Sequence, residues 1–309
     1  VTSSSDAAVP VTPDLPPPGP AGDPATSDDG TQASRPSKRA RLGRNLAAAI
    51  AVGVGLGAII LVSLLIVPEW FVLVLAAVTA IGTWELAGAL RRGADIRVAL
   101  PVLLLGGQAV VWLSWPFGLR GAAIALAATV LGCLLWRMRE GAAHFVRDIG
   151  ASLFVAGYVP LLVAFAVQLT VAPQGVGRVL TFLICVVASD VGGYAAGVVA
   201  GRHPMAPTIS PKKSWEGFLG SQLAGMLAGA LCVALLLGIP WYWGVLVGAL
   251  LVATATLGDL VESLVKRDLG IKDMGTLLPG HGGLMDRLDS LLPAAFVAWA
   301  VLGLLVPVG

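Results

Sequence analysis

In the stretch GDLVESLVKR, Asp259, Glu262, Ser263 and Lys266 fall at i, i+3, i+4 and i+7. On a helix these four share one face. That face presents two carboxylates, then a hydroxyl, then an ammonium. Further on, HGGLMDRLD places Asp286 and Asp289 three apart, so they point the same way near a helix N-terminus, where negative charge is favoured. Asp259, Asp286 and Asp289 at the ends of two neighbouring helices could hold a divalent cation. Magnesium takes few carboxylates and completes its shell with water and phosphate oxygens. Gly280, His281, Gly282 and Gly283 precede the aspartate pair, and bare glycines let backbone N–H groups approach a phosphate closely. Lys266, Arg267, Lys272 and Arg287 supply positive charge suited to phosphate oxygens. A plainer reading stands beside this one: a salt-bridged helix end with Glu262 and Lys266 as an i,i+4 pair, capping aspartates and a solvated loop.

Two other stretches carry similar chemistry. PTISPKKSWEGF sets Ser210 and Ser214 around Lys212 and Lys213, a combination that suits a polyphosphate. Trp215 beside them reads as a base-stacking surface or as an interfacial anchor. Asp190 sits within the apolar run CVVASDVGGYAAG, and a carboxylate inside a membrane span is expensive and usually functional.

The elements that must position these residues are oily. The chain is 57% apolar and only 12% charged, against roughly 25% charged in an ordinary soluble domain. Its mean hydropathy is +0.86. Apolar runs of about 18 or more residues recur, each long enough to cross a bilayer as a helix. The expected fold is an all-α polytopic membrane protein with about nine spans, roughly 46–67, 69–90, 98–115, 119–137, 150–172, 178–200, 217–239, 241–264 and 287–308. With residues 1–45 cytoplasmic, the basic residues Arg91, Arg92, Arg97, Arg137, Arg139, Arg147, Arg202, Lys212, Lys213, Lys266, Arg267, Lys272 and Arg287 all fall inside, as the positive-inside rule requires. The turns SWPFG, VAPQGVGR and GIPW fall outside. Trp70, Trp112, Trp115, Trp241 and Trp243 lie near outer ends, as interfacial anchors should.

Residues 1–45 are rich in Pro, Asp, Ser and Gly and end in a basic cluster; this composition predicts a disordered cytoplasmic tail. The first apolar run starts too late for a cleavable signal peptide. The three cysteines each sit in an apolar run, which argues for small buried hydrophobes rather than a disulfide framework or a thiolate metal site. The remainder, 46–309, reads as a transmembrane catalytic domain whose active site, at the cytoplasmic face, is built mainly from 178–309.

The run SLVKRDLGIKDMGTLLPGHGGLMDRLD, Ser263 to Asp289, resembles the signature of the phosphatidate cytidylyltransferases, the CDP-diacylglycerol synthases, without departure. SPKKSWEG and SDVGGYAAG resemble segments of the same family. The likeness is close from the sixth span to the C-terminus, and earlier it is a likeness of apolar spans only. It implies that CTP and phosphatidic acid give CDP-diacylglycerol and pyrophosphate at the cell membrane. It also implies magnesium, with room for a potassium ion beside it, and a homodimer. The family's metal-binding aspartates fall on Asp259 and Asp286, and its phosphate-contacting positions on Ser263 and Lys266. On the residues alone two other classes stay open: a membrane phosphotransferase using a CDP-alcohol or a polyprenyl phosphate, and a transporter. A transporter would spread ionisable residues along a midplane path, whereas here they cluster at one face.

Overall fold

A computed structural model describes residues 53–277 and 282–306. The tail expected over 1–45 and His281 lie outside the described residues. The chain is built from α1 (described over Gly53–Ile66), α2 (Pro68–Ala94), α3 (Leu100–Met138), α4 (Phe145–Tyr158), α5 (Pro160–Val171) and α6 (Gly175–Ala200). A two-stranded hairpin, β1 (Pro204–Ala206) and β2 (Ser210–Ser214), leads into α7 (Trp215–Leu236) and α8 (Trp241–Asp268). The short α9 (Met285–Leu288) and α10 (Leu291–Leu305) follow. Among the described residues, seven helical stretches are long and apolar enough to cross a membrane.

Breaks in these helices follow their turn residues. Within α3, Gly118 takes φ 59 and ψ −152, which a residue with a side chain rarely adopts. The chain folds back there. A Cβ on Gly106 would run into the side chain of Thr129, and one on Gly132 would lie 2.8 Å from Val102. The arms 100–117 and 119–138 are therefore antiparallel neighbours. Pro160 separates α4 from α5, since its ring denies α5 a continuous hydrogen-bond ladder with what precedes it.

Contacts between connections sort them to two ends of the bundle. At one end the Arg147 guanidinium donates to the Asp95 carbonyl at 2.9 Å, Arg92 donates to the Met274 carbonyl at 2.7 Å, and Arg267 donates to the Ile209 carbonyl at 3.2 Å. Arg137 and Asp148, both buried, pair there at 3.0 Å. At the other end Gln168 donates to the Ser114 carbonyl at 2.7 Å, and Arg178 to the carbonyls of Pro173, Leu302 and Val306 at 2.8, 2.9 and 3.2 Å. Arg178, read from sequence as a lone outer-loop charge, is instead buried and caps the carbonyl end of α10, where a cation is favoured. Outward surfaces are apolar. On α7, Leu219, Leu223, Leu227, Leu231 and Leu235 are all exposed, a four-residue ridge along one helix face.

The stretch 201–218, read as an inside loop, is more ordered than that reading. Ile209 N–H returns to the Ala206 carbonyl at 3.2 Å, closing a turn around Pro207, whose fixed φ suits the position after the first turn residue. Strands β1 and β2 pair antiparallel, with Pro204 opposite Ser214 and Ala206 opposite Ser210. The Ser214 hydroxyl then accepts from Gly217 N–H at 3.1 Å and caps α7. Glu216 reaches back to the Arg202 and His203 N–H groups, both at 3.2 Å. The hairpin and the helix start are one unit.

Candidate active site

A cavity of about 370 Å³ lies where α6, α7, α8, α9 and the hairpin converge. Its carboxylates are Asp190 from α6, Asp259 from α8, Asp286 from α9 and Asp289 from the turn after it. Its cations are Lys212 and Lys213 from β2 and Arg287 from α9. Ser189, Tyr194, Ser221 and Thr256 bring hydroxyls to the wall, and Met205, Phe218 and Ala255 bring apolar surface. Asp190 stands ten residues before the end of α6, about 15 Å along the axis, and opens into this cavity rather than into packed core.

The 3.6-residue period of α8 has the consequence read from the sequence. Ser263 Oγ donates to Asp259 Oδ1 at 3.3 Å, and Lys266 Nζ donates to Glu262 Oε2 at 3.0 Å. Lys266 also reaches Asp286 Oδ1 at 3.1 Å, so one ammonium joins α8 to α9. Asp286 accepts as well from Met274 N–H, at 3.0 Å to Oδ2, and from Gly283 N–H at 2.8 Å. These three donors fix its carboxylate. Asp259 pairs with Lys213 at 2.6 Å, which ties the hairpin to α8. Asp289 accepts from Ser290 N–H at 2.6 Å and neighbours the wholly buried Glu262. A Cβ on Gly258 would strike the Asp289 carbonyl, so this glycine sets how closely α9 approaches α8.

Of the residues singled out from sequence, Asp190, Lys212, Lys213, Asp259, Asp286, Arg287 and Asp289 line the cavity. Lys266, Ser263 and Gly283 stand one bond behind it, each holding an aspartate. Gly282 takes φ +79, and a Cβ there would lie 3.0 Å from Asp286 Oδ2. Ser210, Arg267 and Lys272 neither line the cavity nor hold one of its aspartates. Ser210 sits in the β1–β2 pairing, Arg267 binds the Ile209 carbonyl, and Lys272 is exposed on the connection after α8.

Sequence reasoning missed two groups on α2. Glu85, 2% exposed, accepts from Met285 N–H at 2.7 Å, and Arg92 holds the Met274 carbonyl. Glu85 did carry a signal, being an acid within the apolar run GTWELAGAL, the same signal that picked out Asp190.

The donor set fits magnesium. Carboxylate and hydroxyl oxygens line the cavity, and no cysteine or histidine does so among the described residues; hard oxygen donors suit this ion. Asp259 already faces a cation in the form of the Lys213 ammonium. Among the described residues no three His, Cys, Asp or Glu side chains form a metal cluster by themselves.

Comparison with known proteins points the same way. A family model described as "Cytidylyltransferase family" matches residues 47–305. The phosphatidate cytidylyltransferase of Mycobacterium tuberculosis H37Rv is 46% identical over 303 residues, covering 92% of both chains. That of Mycobacterium leprae is 49% identical over 282 residues, 86% of this chain and 90% of its own. That of Brucella suis is 39% identical over 184 residues, 57% of this chain and 64% of its own. With a matched region that takes in nearly all the described helices and relatives this similar over most of their length, the chain belongs to the phosphatidate cytidylyltransferase family.

Proposed function

We propose that the polar cavity is where this chain, as a phosphatidate cytidylyltransferase, joins CTP and phosphatidate to give CDP-diacylglycerol and pyrophosphate. The observation that carries the assignment is the convergence of Asp259, Asp286 and Asp289 with Lys212, Lys213 and Arg287 on one cavity. Both reactants are anionic, so their mutual repulsion is the main obstacle. A phosphate oxygen of phosphatidate forms a bond to the α-phosphorus of CTP, and the bond from that phosphorus to the bridging oxygen of the pyrophosphate breaks. The nucleophile is already ionised near neutral pH, so the site needs no strong general base. Lys212, Lys213 and Arg287 offset the phosphate charge at a wall shared with the aspartates, where fixed charges act without reorganising. Lys266 holds Asp286 in place, and Ser263 holds Asp259. Asp259 and Asp286 would hold magnesium, which when bound neutralises and orients phosphate oxygens; the family resemblance allows a potassium ion beside it.

We further infer nine membrane spans in the cell membrane, with the N-terminus and the cavity cytoplasmic. The two antiparallel arms of α3 supply separate spans, and α1 supplies the first. Support comes from the gathering of Arg92, Arg147, Arg267 and the hairpin at one end, and of the 114–118, 168–175 and 302–306 segments at the other. A homodimer is inferred from the family resemblance alone. The test of the reaction is product identity. Purified protein given cytidine-labelled CTP and phosphatidate should release pyrophosphate and form labelled CDP-diacylglycerol only when both substrates and magnesium are present. Label appearing with a CDP-alcohol or a polyprenyl phosphate as acceptor, and not with phosphatidate, would defeat the assignment.

A further inference from the structure

A buried carboxylate far from the cavity in sequence holds the segment that carries Asp286. We propose that Glu85, on α2, is a positioning residue for that segment. The proposal rests on the reading of Asp286 as a metal-holding residue. Glu85 Oε2 accepts the Met285 N–H at 2.7 Å, one residue before Asp286. The carboxylate is 2% exposed, so this bond is not traded against water. Its Oε1 has no hydrogen-bond partner among the described residues, and the space around it is shaped by two glycines. A Cβ on Gly275 would collide with Oε1, and the three atoms nearest to it all belong to Glu85. A Cβ on Gly283 would lie 2.6 Å from Oε2. The chain thus closes around the Glu85 carboxylate from both sides with no side chain between.

The same two stretches hold Asp286. Met274 N–H and Gly283 N–H both donate to its carboxylate, and each belongs to a residue adjacent to the glycine pressed on Glu85 or to that glycine itself. Two turns further along α2, Arg92 binds the Met274 carbonyl at 2.7 Å. One face of α2 therefore fastens the segment at 274–275 and again at 283–285. Removing the Glu85 fastening frees the donors that orient Asp286 without touching any lining residue of the cavity. Outer partners of this kind commonly change metal affinity by about 10–100-fold.

The test uses the full-length protein in detergent and compares Glu85→Ala, Glu85→Gln, Gly275→Ala, the double variant Glu85→Ala/Gly275→Ala, and Asp286→Asn. Two quantities are read: the magnesium concentration for half-maximal turnover, and amide hydrogen exchange of peptides containing Met274, Gly283 and Met285. Glu85→Ala should raise the magnesium requirement about tenfold or more and speed exchange in both stretches. Glu85→Gln keeps an oxygen for Met285 N–H and should stay within about threefold of the parent. Gly275→Ala, which leaves Glu85 in place, should be as damaging as Glu85→Ala, and its effect should largely vanish in the double variant, because the atoms it strikes are gone. Asp286→Asn separates the two readings. Loss of turnover in Asp286→Asn together with an unshifted magnesium requirement in Glu85→Ala overturns the role of Glu85 and leaves the site reading intact. Near-parent turnover in Asp286→Asn across a magnesium titration overturns the site reading, and exchange alone then decides whether Glu85 holds the segment. Unchanged exchange in Glu85→Ala, or effects of the two alanine substitutions that simply multiply, overturns the proposal. A lower yield of active protein with an unaltered magnesium requirement also overturns it, since that is what a purely structural residue would show.

Discussion

Lys266 is a cation shared by two buried carboxylates, and replacing it should separate stability from catalysis. Its ammonium lies 3.0 Å from Glu262 and 3.1 Å from Asp286, with side-chain exposures of 18%, 0% and 8% for Lys266, Glu262 and Asp286. At about 3 Å and an effective dielectric near 20, each pairing has a gross Coulomb energy of roughly 5 kcal/mol. Desolvation of the three groups cancels much of that, so the pairings add little net stability. Removing one partner is different, because it strands the others. Lys266→Met keeps the length and the apolar stem but takes the cation away from both Glu262 and Asp286, and breaking a buried pairing by removing one partner costs about 3–5 kcal/mol. By the scaling of soluble domains, the lower figure corresponds to a fall of about 6–12 °C in melting temperature. Adding Glu262→Gln relieves one of the two carboxylates left without a cation and should recover part of that loss. It cannot restore the cation beside Asp286, so turnover should stay depressed by about 100-fold or more, as is common when one preorganised charge is removed from a site. Intrinsic tryptophan fluorescence on heating and CDP-diacylglycerol formation report the two quantities separately. An unchanged melting midpoint for Lys266→Met would refute the buried pairing. Restored turnover in the double variant would refute the assignment of Lys266 to the reacting site.

Asp259→Asn and Asp286→Asn should each abolish turnover in protein that still inserts and folds, and near-normal activity of either across a magnesium titration would sink their assignment. Thr208→Cys should be labelled by a membrane-impermeant thiol reagent only from the cytoplasmic side, and Pro240→Cys only from outside; the native Cys133, Cys185 and Cys232 are buried and give little background. Labelling of both from one side would break the nine-span arrangement. Arg178→Met should destabilise the protein by roughly 1–3 kcal/mol through the stranded carbonyls of Pro173, Leu302 and Val306, with turnover per folded molecule unchanged, since Arg178 lies at the end opposite the cavity. A melting midpoint equal to the parent's would show that those carbonyls find other donors.

The long apolar helices were legible because an apolar run of that length has few other uses, and the carboxylate face of α8 because a helix repeats every 3.6 residues. The turn at SWPFG was legible too, since Pro116 and Gly118 leave little choice. The strands β1 and β2 were not. SPKKS has a proline and two lysines and little strand propensity; it is extended because the turn at Pro207, the Ser214 cap and the Lys213–Asp259 pair fix both ends. Ser210, Arg267 and Lys272 show the limit of reading charge by proximity in sequence. They sit among the site residues in the chain, yet each points to a backbone pairing, a carbonyl or solvent. Glu85 shows the converse, lying two hundred residues from its partner Met285, a separation no local pattern can bridge.

The position of the cavity follows from where the glycine contacts between α7 and α8 stop. Apolar side chains gain nothing by leaving lipid for each other, so helices in a bilayer associate through close packing and polar contacts. Here α7 and α8 approach until the backbone of one fills the space a Cβ would take on the other, at Gly229 against Gly244 and at Gly225 against Gly248. Helix α6 approaches α7 in the same way at Gly192 and Gly220, and Ser221 binds the Ser189 carbonyl at 2.8 Å. Toward the basic end of the α7–α8 seam, the next facing residues are Ser221 and Phe218 on α7 and Thr256 and Asp259 on α8, and all four line the cavity. Side chains there hold the helices apart, and the space between them is polar. The glycine contacts thus draw three helices close enough for Asp190 and Asp259 to share one wall. The end of those contacts leaves room, between the same helices, for a substrate with two phosphorylated partners. The cavity therefore lies at the mouth of a close-packed helix seam, and not on a loop above it.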